Sequence, residues 1–497
     1  MSEQTEQPMW YQLFQLQPES GVSLQRQLRK ALVDAILGGH IPPERALPSS
    51  RELARQLGIA RNTVVLSYQH LVDDGYLHSR ARSGFFINPE ILPDRLESEG
   101  KHDNPARTDW SRRLKRRPSS QRNISKPRDW KRYRYPFIYG QPDPDLFPMG
   151  EWRECCRELL SVSEVNSFAE DRFDADDPLL VEQIQNRVLP RRGVWADKDE
   201  ILITLGAQHA LYLLGELLLD ADSTVGIEDP GYPDARNIFA LSGAKVQPLP
   251  VDGEGLLPGS HLDRCDVAYV TPSHHVPTTV TLPRERRIEL LERAARADFL
   301  LIEDDYESET NFVGEPTPAL KSLDQEDRVI YVGGLSKTLA PGLRLGFMVG
   351  PRELIREARA LRRLMIRHPP SNNQRAVALF LSMGHHDSHI HRLNKVLKER
   401  WQLMHDALAE HLPNTFTVPA FGGTSYWIEG APDLDTTALA RQARDHSLLM
   451  EPGEVYFMAD NGPRNCFRLG YSSIKTERIE PGIATLAKLM RNWREAR

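Results

Sequence analysis

From Ser23 to Ile36, Leu24, Leu28, Leu32 and Ile36 recur every fourth residue with Arg26, Arg29 and Lys30 between them, a spacing that predicts an amphipathic helix. Gly38, Gly39 and the following Pro42 and Pro43 stop it. Ser49 with Glu52 three residues later forms the pattern of a capping box, opening a short helix buried through Leu53, Ala54 and Leu57 and turned by Gly58. A further helix, about Arg61 to Asp73, is expected to bury Val64, Val65, Tyr68, Leu71 and Val72 and to present Arg61, Asn62 and Thr63 at its start. After Gly75 the run YLHSRARSGFFI alternates polar and apolar residues around Ser83-Gly84, which predicts a β-hairpin. Two helices joined by a tight turn and followed by a hairpin make a winged helix-turn-helix.

The period changes farther on. From about Tyr135, short apolar runs alternate with helical ones: EILITLG then AQHALYLLGELLL, STVGIEDPGY, DVAYVTPSHH, RRIELLERAARA then FLLIEDDY, and RVIYVGGLS. This βα alternation predicts a mostly parallel sheet covered by helices, with ligands bound at the C-terminal ends of the strands. Between the two patterned regions, residues 91–135 lose apolar periodicity and carry fourteen Arg or Lys against six Asp or Glu, a net charge of +8. Such a segment reads as an extended, flexible, positively charged tether, its charge serving solvation or added phosphate contacts. The expected organisation is 1–90 winged helix-turn-helix, 91–135 basic linker and 136–497 α/β domain, with a C-terminal small subdomain from about 370.

A length of 497 residues agrees with two or three units, and 40% hydrophobic with 27% charged residues is ordinary for a soluble globular chain. The formal net charge of −6 excludes a protein that is basic throughout. Cys155, Cys156, Cys265 and Cys466 have no CxxC pairing, so unpaired thiols in a reducing cytoplasm are expected. The N-terminus lacks the basic and apolar regions of a secretory signal, and no stretch approaches the roughly 18 apolar residues of a membrane span.

Arg61, Asn62 and Thr63 are residue types that reach base edges or phosphates when a helix enters the major groove N-terminus first. Arg51 in the preceding helix and Arg80, Arg82, Ser83 and Gly84 in the hairpin complete the set expected to touch double-stranded DNA. The run LPSSRELA, LGIARNTV, YQHLVDDGYL, RSGFF resembles the GntR-type winged-helix DNA-binding domain over about residues 22–88.

The ends of the predicted parallel strands gather unusual chemistry. Gly206, Ala207 and Gln208 open a helix after ILIT, leaving free N–H groups suited to a phosphate. Tyr232 follows Pro-Gly, Asp304, Asp305 and Tyr306 end an apolar strand, and Lys337 follows VIYVGGLS with Arg344 beyond. An amine, a carboxylate, an aromatic face and an anion cradle are what pyridoxal 5′-phosphate requires. EDPGYP, TPSH, IEDDYESE, GGLSKTLAPGLRLGF and FRLGYSS, in this order, resemble the fold-type I aspartate aminotransferase superfamily. Behind a GntR-like domain they resemble the MocR/GabR family of transcriptional regulators, and within it the taurine- and ectoine-responsive group.

That resemblance implies roles. Lys337 would be the Schiff-base lysine, Asp304 the partner of the pyridine nitrogen with Asp305 as the alternative, and Tyr306 the donor to the ring hydroxyl. Tyr232 would lie against the ring, Gly206, Ala207, Gln208, Ser336 and Arg344 would hold the phosphate, and Arg468 would grip the effector's carboxylate. One departure stands out: SHHVPTTVTL replaces the N-P-T-G or Q-F-P-T-G turn of many relatives, so Val276 takes the place of a side chain that could bond the ring hydroxyl and Thr279 that of the glycine. His274 or His275 is a possible substitute.

The implied function is a DNA-binding regulator, a head-to-tail homodimer, that senses a small amine or amino acid at Lys337. The alternatives are a working aminotransferase with an accessory N-terminal domain, or a cofactor-free dimerisation scaffold. The histidines of GHHDSHIHR, His385, His389 and His391 among them, lack a matching Cys or Glu array and are expected at the surface or a dimer contact, with no metal.

Overall fold

The computed structural model describes residues 14, 16–80, 83–91, 108–314, 317–335, 337–419 and 422–495. The chain divides into two compact units, Met1–Leu114 and Lys115–Arg497.

In the first unit, helix α1 (Leu24–Leu37) begins where the Ser23 hydroxyl accepts from the Arg26 N–H. Helix α2 (Ser50–Leu57) is capped by Ser49, whose hydroxyl accepts from the Glu52 N–H at 3.2 Å, and ends at Gly58 in the left-handed conformation, φ 66°. The capping box is only half realised, because the Glu52 carboxylate turns outward to Arg55 and Gln56. Ser49→Ala is expected to cost this unit about 1 kcal/mol in denaturant unfolding, the usual worth of an N-cap.

Helix α3 (Arg61–Asp73) buries Val64, Ser67, Tyr68 and Leu71. Val65, expected inside, is 41% exposed, since the stripe set by Val64, Tyr68 and Leu71 leaves it about a quarter-turn away. Strands β1 (Leu77–Arg80) and β2 (Gly84–Ile87) pair antiparallel with Arg80 opposite Gly84, giving the wing. Leu28, Leu32, Leu53, Val64, Leu71, Leu77 and Ile87 close one core.

The second unit takes in the chain from Lys115, so the tether expected to reach residue 135 is shorter than its composition suggests. The Arg122 guanidinium donates to the Phe457 and Met458 carbonyls at 3.0 and 2.9 Å, and Lys126 pairs with buried Glu451 at 3.2 Å. Those acceptors, distant in sequence, fix part of the basic run as a strap on the folded unit.

Beyond β3 (Tyr135–Pro136), the large sheet uses β4 (Ile201–Thr204), β5 (Thr224–Asp229), β6 (Lys245–Asp252), β7 (Gly255–Leu256), β8 (Val267–Val270), β9 (Leu300–Asp305), β10 (Val329–Gly334) and β11 (Gly346–Val349). Their order is β4-β11-β10-β9-β8-β5-β6-β7. The inner pairs β10/β9, β9/β8, β8/β5 and β5/β6 are parallel, while β11 runs antiparallel to both β10 and β4. Strands β4, β5, β8, β9 and β10 therefore all end at one edge. β9 and β10 are buried on both faces, β9 through an apolar first half that ends in Glu303, Asp304 and Asp305.

Helix α4 (Ala207–Leu218) follows β4 and buries Ala210, Leu211, Leu213 and Leu214 against the sheet. C-terminal to the sheet, helix α5 (His385–His411), an antiparallel sheet of β12 (Phe416–Thr417), β13 (Ser425–Glu429), β15 (Glu451–Pro452) and β16 (Cys466–Gly470), strand β14 (Leu448–Leu449) paired with β3, and helix α6 (Ile479–Glu495) share a core with Tyr135 and Phe137. In α5, His386 and His389 are buried within the chain at 1% and 3% exposure, where a surface or dimer-contact position was expected. His389 Nε2 bonds the Thr338 carbonyl at 2.6 Å and His386 Nε2 lies 3.2 Å from Glu309, so these rings brace the lysine loop. All four cysteines are unpaired, and among the described residues no helix is long and apolar enough to cross a membrane.

Candidate functional site

The strand ends enclose a cavity of about 230 Å³. Its walls include Gly206, Ala207 and Gln208 after β4, Tyr232 after β5, Asp304 and Tyr306 at the end of β9, Lys337 and Arg344 after β10, and Arg468 from β16. Nine of the ten positions expected to form the site thus meet in one space. The tenth, Ser336, lies outside the described residues.

Each position has a local cause. Gly206 has φ 84°, and a Cβ there would stand 3.0 Å from an Arg344 guanidinium nitrogen, so only glycine lets that guanidinium lie over the turn and donate to the Leu205 carbonyl at 2.9 Å. The first N–H groups of α4 face the same space. Gln208 and Tyr232 both donate to Asp234, at 2.6 and 3.0 Å, fixing the Tyr232 ring at the mouth.

Adjacent strand residues point to opposite faces, and the sheet settles which aspartate faces the cavity. Asp304 Oδ2 accepts from the Tyr269 hydroxyl at 2.7 Å, while Oδ1 is buried without a partner. Burial pushes the Asp304 carboxyl up to about 6, opposed by the Tyr269 bond. Asp305, the alternative, is taken by the Arg192 guanidinium at 2.7 Å and the Tyr331 hydroxyl at 2.8 Å and does not line the cavity.

Burial pushes the Lys337 amine down to about 8, opposed chiefly by the Glu307 carboxylate. Arg468, 1% exposed, donates through Nε to Ser425 at 2.9 Å and keeps Nη2 buried without a partner. The Tyr139 ring lies against both cations, 4.0 Å from the Lys337 nitrogen and 3.4 Å from the Arg468 guanidinium carbon.

Sequence reasoning missed Tyr139, Gly140, Tyr269 and Ile124, all of which line the cavity. For Tyr139 and Gly140 a signal existed, an aromatic residue before a glycine-proline turn in IYGQPDPD. Ile124 carried none, because it sits in the basic strap. The departure from the relatives' turn is visible too. Val276 lines the cavity, whereas His274 bonds Asn311 and His275 bonds Thr278, so neither histidine is turned to it. Thr279 keeps φ 65°, a left-handed conformation that a β-branched residue rarely adopts and that glycine would take without strain.

Four polar atoms that border or approach the cavity are buried without partners among the described residues: Asp304 Oδ1, Tyr306 and Tyr139 hydroxyls, and Arg468 Nη2. Such atoms are costly unless a ligand completes them. A pyridine nitrogen opposite Asp304, a phenolic oxygen opposite Tyr306 and an anion beside the Gly206 turn match the donor set, so the residues present fit pyridoxal 5′-phosphate.

In the first unit Arg51, Arg61, Asn62, Arg80, Ser83 and Gly84 are exposed and Thr63 half-exposed. Arg61 Nε bonds Ser50 at 3.5 Å, and Arg80 stacks on Phe86 at 4.6 Å, which holds both guanidinium groups on the surface. Arg82 lies outside the described residues.

Comparison with known proteins agrees with both units. Residues 24–87 match the family described as bacterial regulatory proteins, gntR family, and residues 174–486 match aminotransferase class I and II. The HTH-type transcriptional regulator TauR of Rhodobacter capsulatus is 43% identical over 96% of this chain and 99% of its own length. The probable rhizopine catabolism regulatory protein MocR of Rhizobium meliloti is 30% identical over 95% of this chain and 94% of its own. The crystal structure of LysN, an α-aminoadipate aminotransferase from Thermus thermophilus complexed with N-(5′-phosphopyridoxyl)-L-leucine, covers 78% of this chain and all of its own, with a TM-score of 0.70 and 29% identity. A winged helix with exposed arginines, joined to a complete aminotransferase-like fold with a lysine at its strand ends, thus places this chain in the MocR-type family of HTH transcriptional regulators, within the group that includes TauR.

Proposed function

We propose that the second unit holds pyridoxal 5′-phosphate and uses it to sense a small amine that also carries an acidic group, and that the first unit binds an operator. The observation that carries this reading is a lysine amine and a buried, half-satisfied arginine on the walls of one cavity, with unpartnered Asp304 and Tyr306 atoms between the elements that bear them.

The cofactor would supply an aldehyde that condenses reversibly with primary amines. Lys337 would provide the amine that anchors it, and Asp304 would hold a proton on its ring nitrogen. Tyr306 would donate to the ring hydroxyl and Tyr232 would cover the ring. The N–H groups of Gly206, Ala207 and Gln208, with Arg344 and Ser336, would hold its phosphate. Arg468 would grip a carboxylate or sulfonate through its free Nη2, a bidentate task suited to guanidinium. Val276 offers an apolar wall where a hydrogen-bond donor would aid turnover, which favours a binding event over sustained transamination.

The effectors implied by the resemblance, taurine, GABA and ectoine-derived amino acids, each join a primary amine to an acid. Arg51, Arg61, Asn62, Thr63, Arg80, Arg82, Ser83 and Gly84 would contact DNA, and a head-to-tail homodimer in the cytoplasm would read paired half-sites.

The test titrates these amines into the cofactor-loaded protein while following its absorbance and its affinity for a selected operator. One amine is expected to change both, with little keto acid formed. Arg468→Met is expected to weaken that response about 10²–10³-fold, the cost of leaving an acid unpaired in a buried site. Fast keto-acid production with no DNA preference would favour the enzyme instead.

A further inference from the structure

Behind Lys337, away from the principal cavity, lies a smaller one of about 30 Å³ bordered by Gly140, Asp143, Glu307, Lys337, Thr424 and Ser472. A space of that size with several polar groups on its wall has room for a water. Two carboxylates border it. Asp143 is taken up by the Arg400 guanidinium at 2.6 Å. Glu307 is 4% exposed and accepts a hydrogen bond from the Thr424 hydroxyl, a neutral donor. Gly423, φ 90°, gives this carboxylate its place: a Cβ there would stand 3.0 Å from Glu307 Oε2.

The charges around the Lys337 amine come from several elements. Asp304 faces it from β9, Arg468 from β16 and Lys126 from the strap, with the Tyr139 ring alongside. Of these charges, that of Glu307 acts most strongly on the amine. Arg468 and Lys126 work against the protonated amine, so Glu307 is the main group that favours it.

We propose that Glu307 is the positioning residue of the Lys337 amine: its carboxylate, on the wall of the water-sized cavity that the amine also borders, keeps the unattached amine charged and in place. The role rests on the reading of Lys337 as the attachment point.

The test needs no cofactor. Cofactor-free protein is pulse-labelled with acetic anhydride between pH 6 and pH 10, and the peptide containing Lys337 is quantified by mass spectrometry, with Lys321 as internal reference. Glu307→Gln removes the favourable negative charge, so the protonated amine is disfavoured and the labelling midpoint falls. Labelling of Lys337 near pH 7 is expected to rise about fivefold. A merely structural role gives the opposite sign, because loosening the pocket hydrates the amine and moves its midpoint up toward that of an ordinary lysine. A midpoint unchanged or raised overturns the proposal. Glu307→Asp keeps the charge but draws it back, and a smaller fall is expected; if Glu307→Gln is insoluble, a Glu307→Asp midpoint at or above the wild type overturns it. Failure of Lys337→Ala to abolish the cofactor band would instead sink the attachment reading and leave the labelling result standing.

Discussion

Protein carrying Lys337→Ala is expected to gain no near-visible absorbance band on addition of pyridoxal 5′-phosphate, where the wild type gains one, and to lose its response to the effector altogether. The substitution deletes the lysine on the wall of the principal cavity and leaves the rest of that wall in place. Gly206, Arg344 and the pair Asp304 and Tyr306 belong to three strand ends whose positions are set by the sheet and not by the lysine side chain. The cofactor's non-covalent contacts should therefore persist in weakened form while covalent attachment disappears. Operator affinity without effector is expected to stay within a few-fold of wild type, because the residues of the winged helix have their own core. Absorbance spectra and gel-shift titrations of the two proteins side by side check both halves. A band that survives the substitution would mean that another amine carries the cofactor.

Arg192→Met is expected to destabilise the second unit by about 3–5 kcal/mol, the cost of removing one partner from a buried ion pair. Arg192 is 3% exposed and its guanidinium is fully employed: Nε meets Asp305 at 2.7 Å, Nη2 donates to the Ser273 hydroxyl at 2.8 Å and Nη1 to the Thr317 carbonyl at 2.7 Å. Methionine fills much of the volume but strands the Asp305 charge with the Tyr331 hydroxyl alone. Denaturant unfolding of the full chain should show the transition of this unit shifted, with that of the winged helix unmoved. The double variant Arg192→Met/Asp305→Leu removes both charges and is expected to recover most of the loss. Cofactor retention should fall in the single variant as well, since Asp305 adjoins Asp304 on β9 and its anchorage sets the strand end from which Asp304 faces the cavity.

That pair shows where the sequence was legible and where it was not. The strands ending in ILIT, GIED, VAYV, LLIEDD and VIYVGG were readable because buried parallel strands are continuous apolar runs closed by polar residues. The same logic located Lys337, Tyr232 and the Gly206 turn. It could not choose between Asp304 and Asp305, because the two-residue alternation states that neighbours diverge without stating toward what. The choice is made by Arg192, more than a hundred residues upstream, and by Tyr269 on the adjoining strand. Tyr139 and Glu307 escaped for a related reason: their importance arises from which cation they face, a property of the tertiary structure. The strap was misjudged because composition records charge but not the acceptors, Glu451 and the carbonyls of Phe457 and Met458, that await it.

The strap has a mechanical meaning. Ile124, between the anchored Arg122 and Lys126, forms part of the cavity wall, and the chain leading to it arrives directly from the unit that ends at Leu114. A ligand that crowds or releases Ile124 therefore also bears on the strap that Arg122 and Lys126 seat. The wall of the binding site is in this respect a piece of the strap, and its position depends on how firmly Arg122 and Lys126 stay seated.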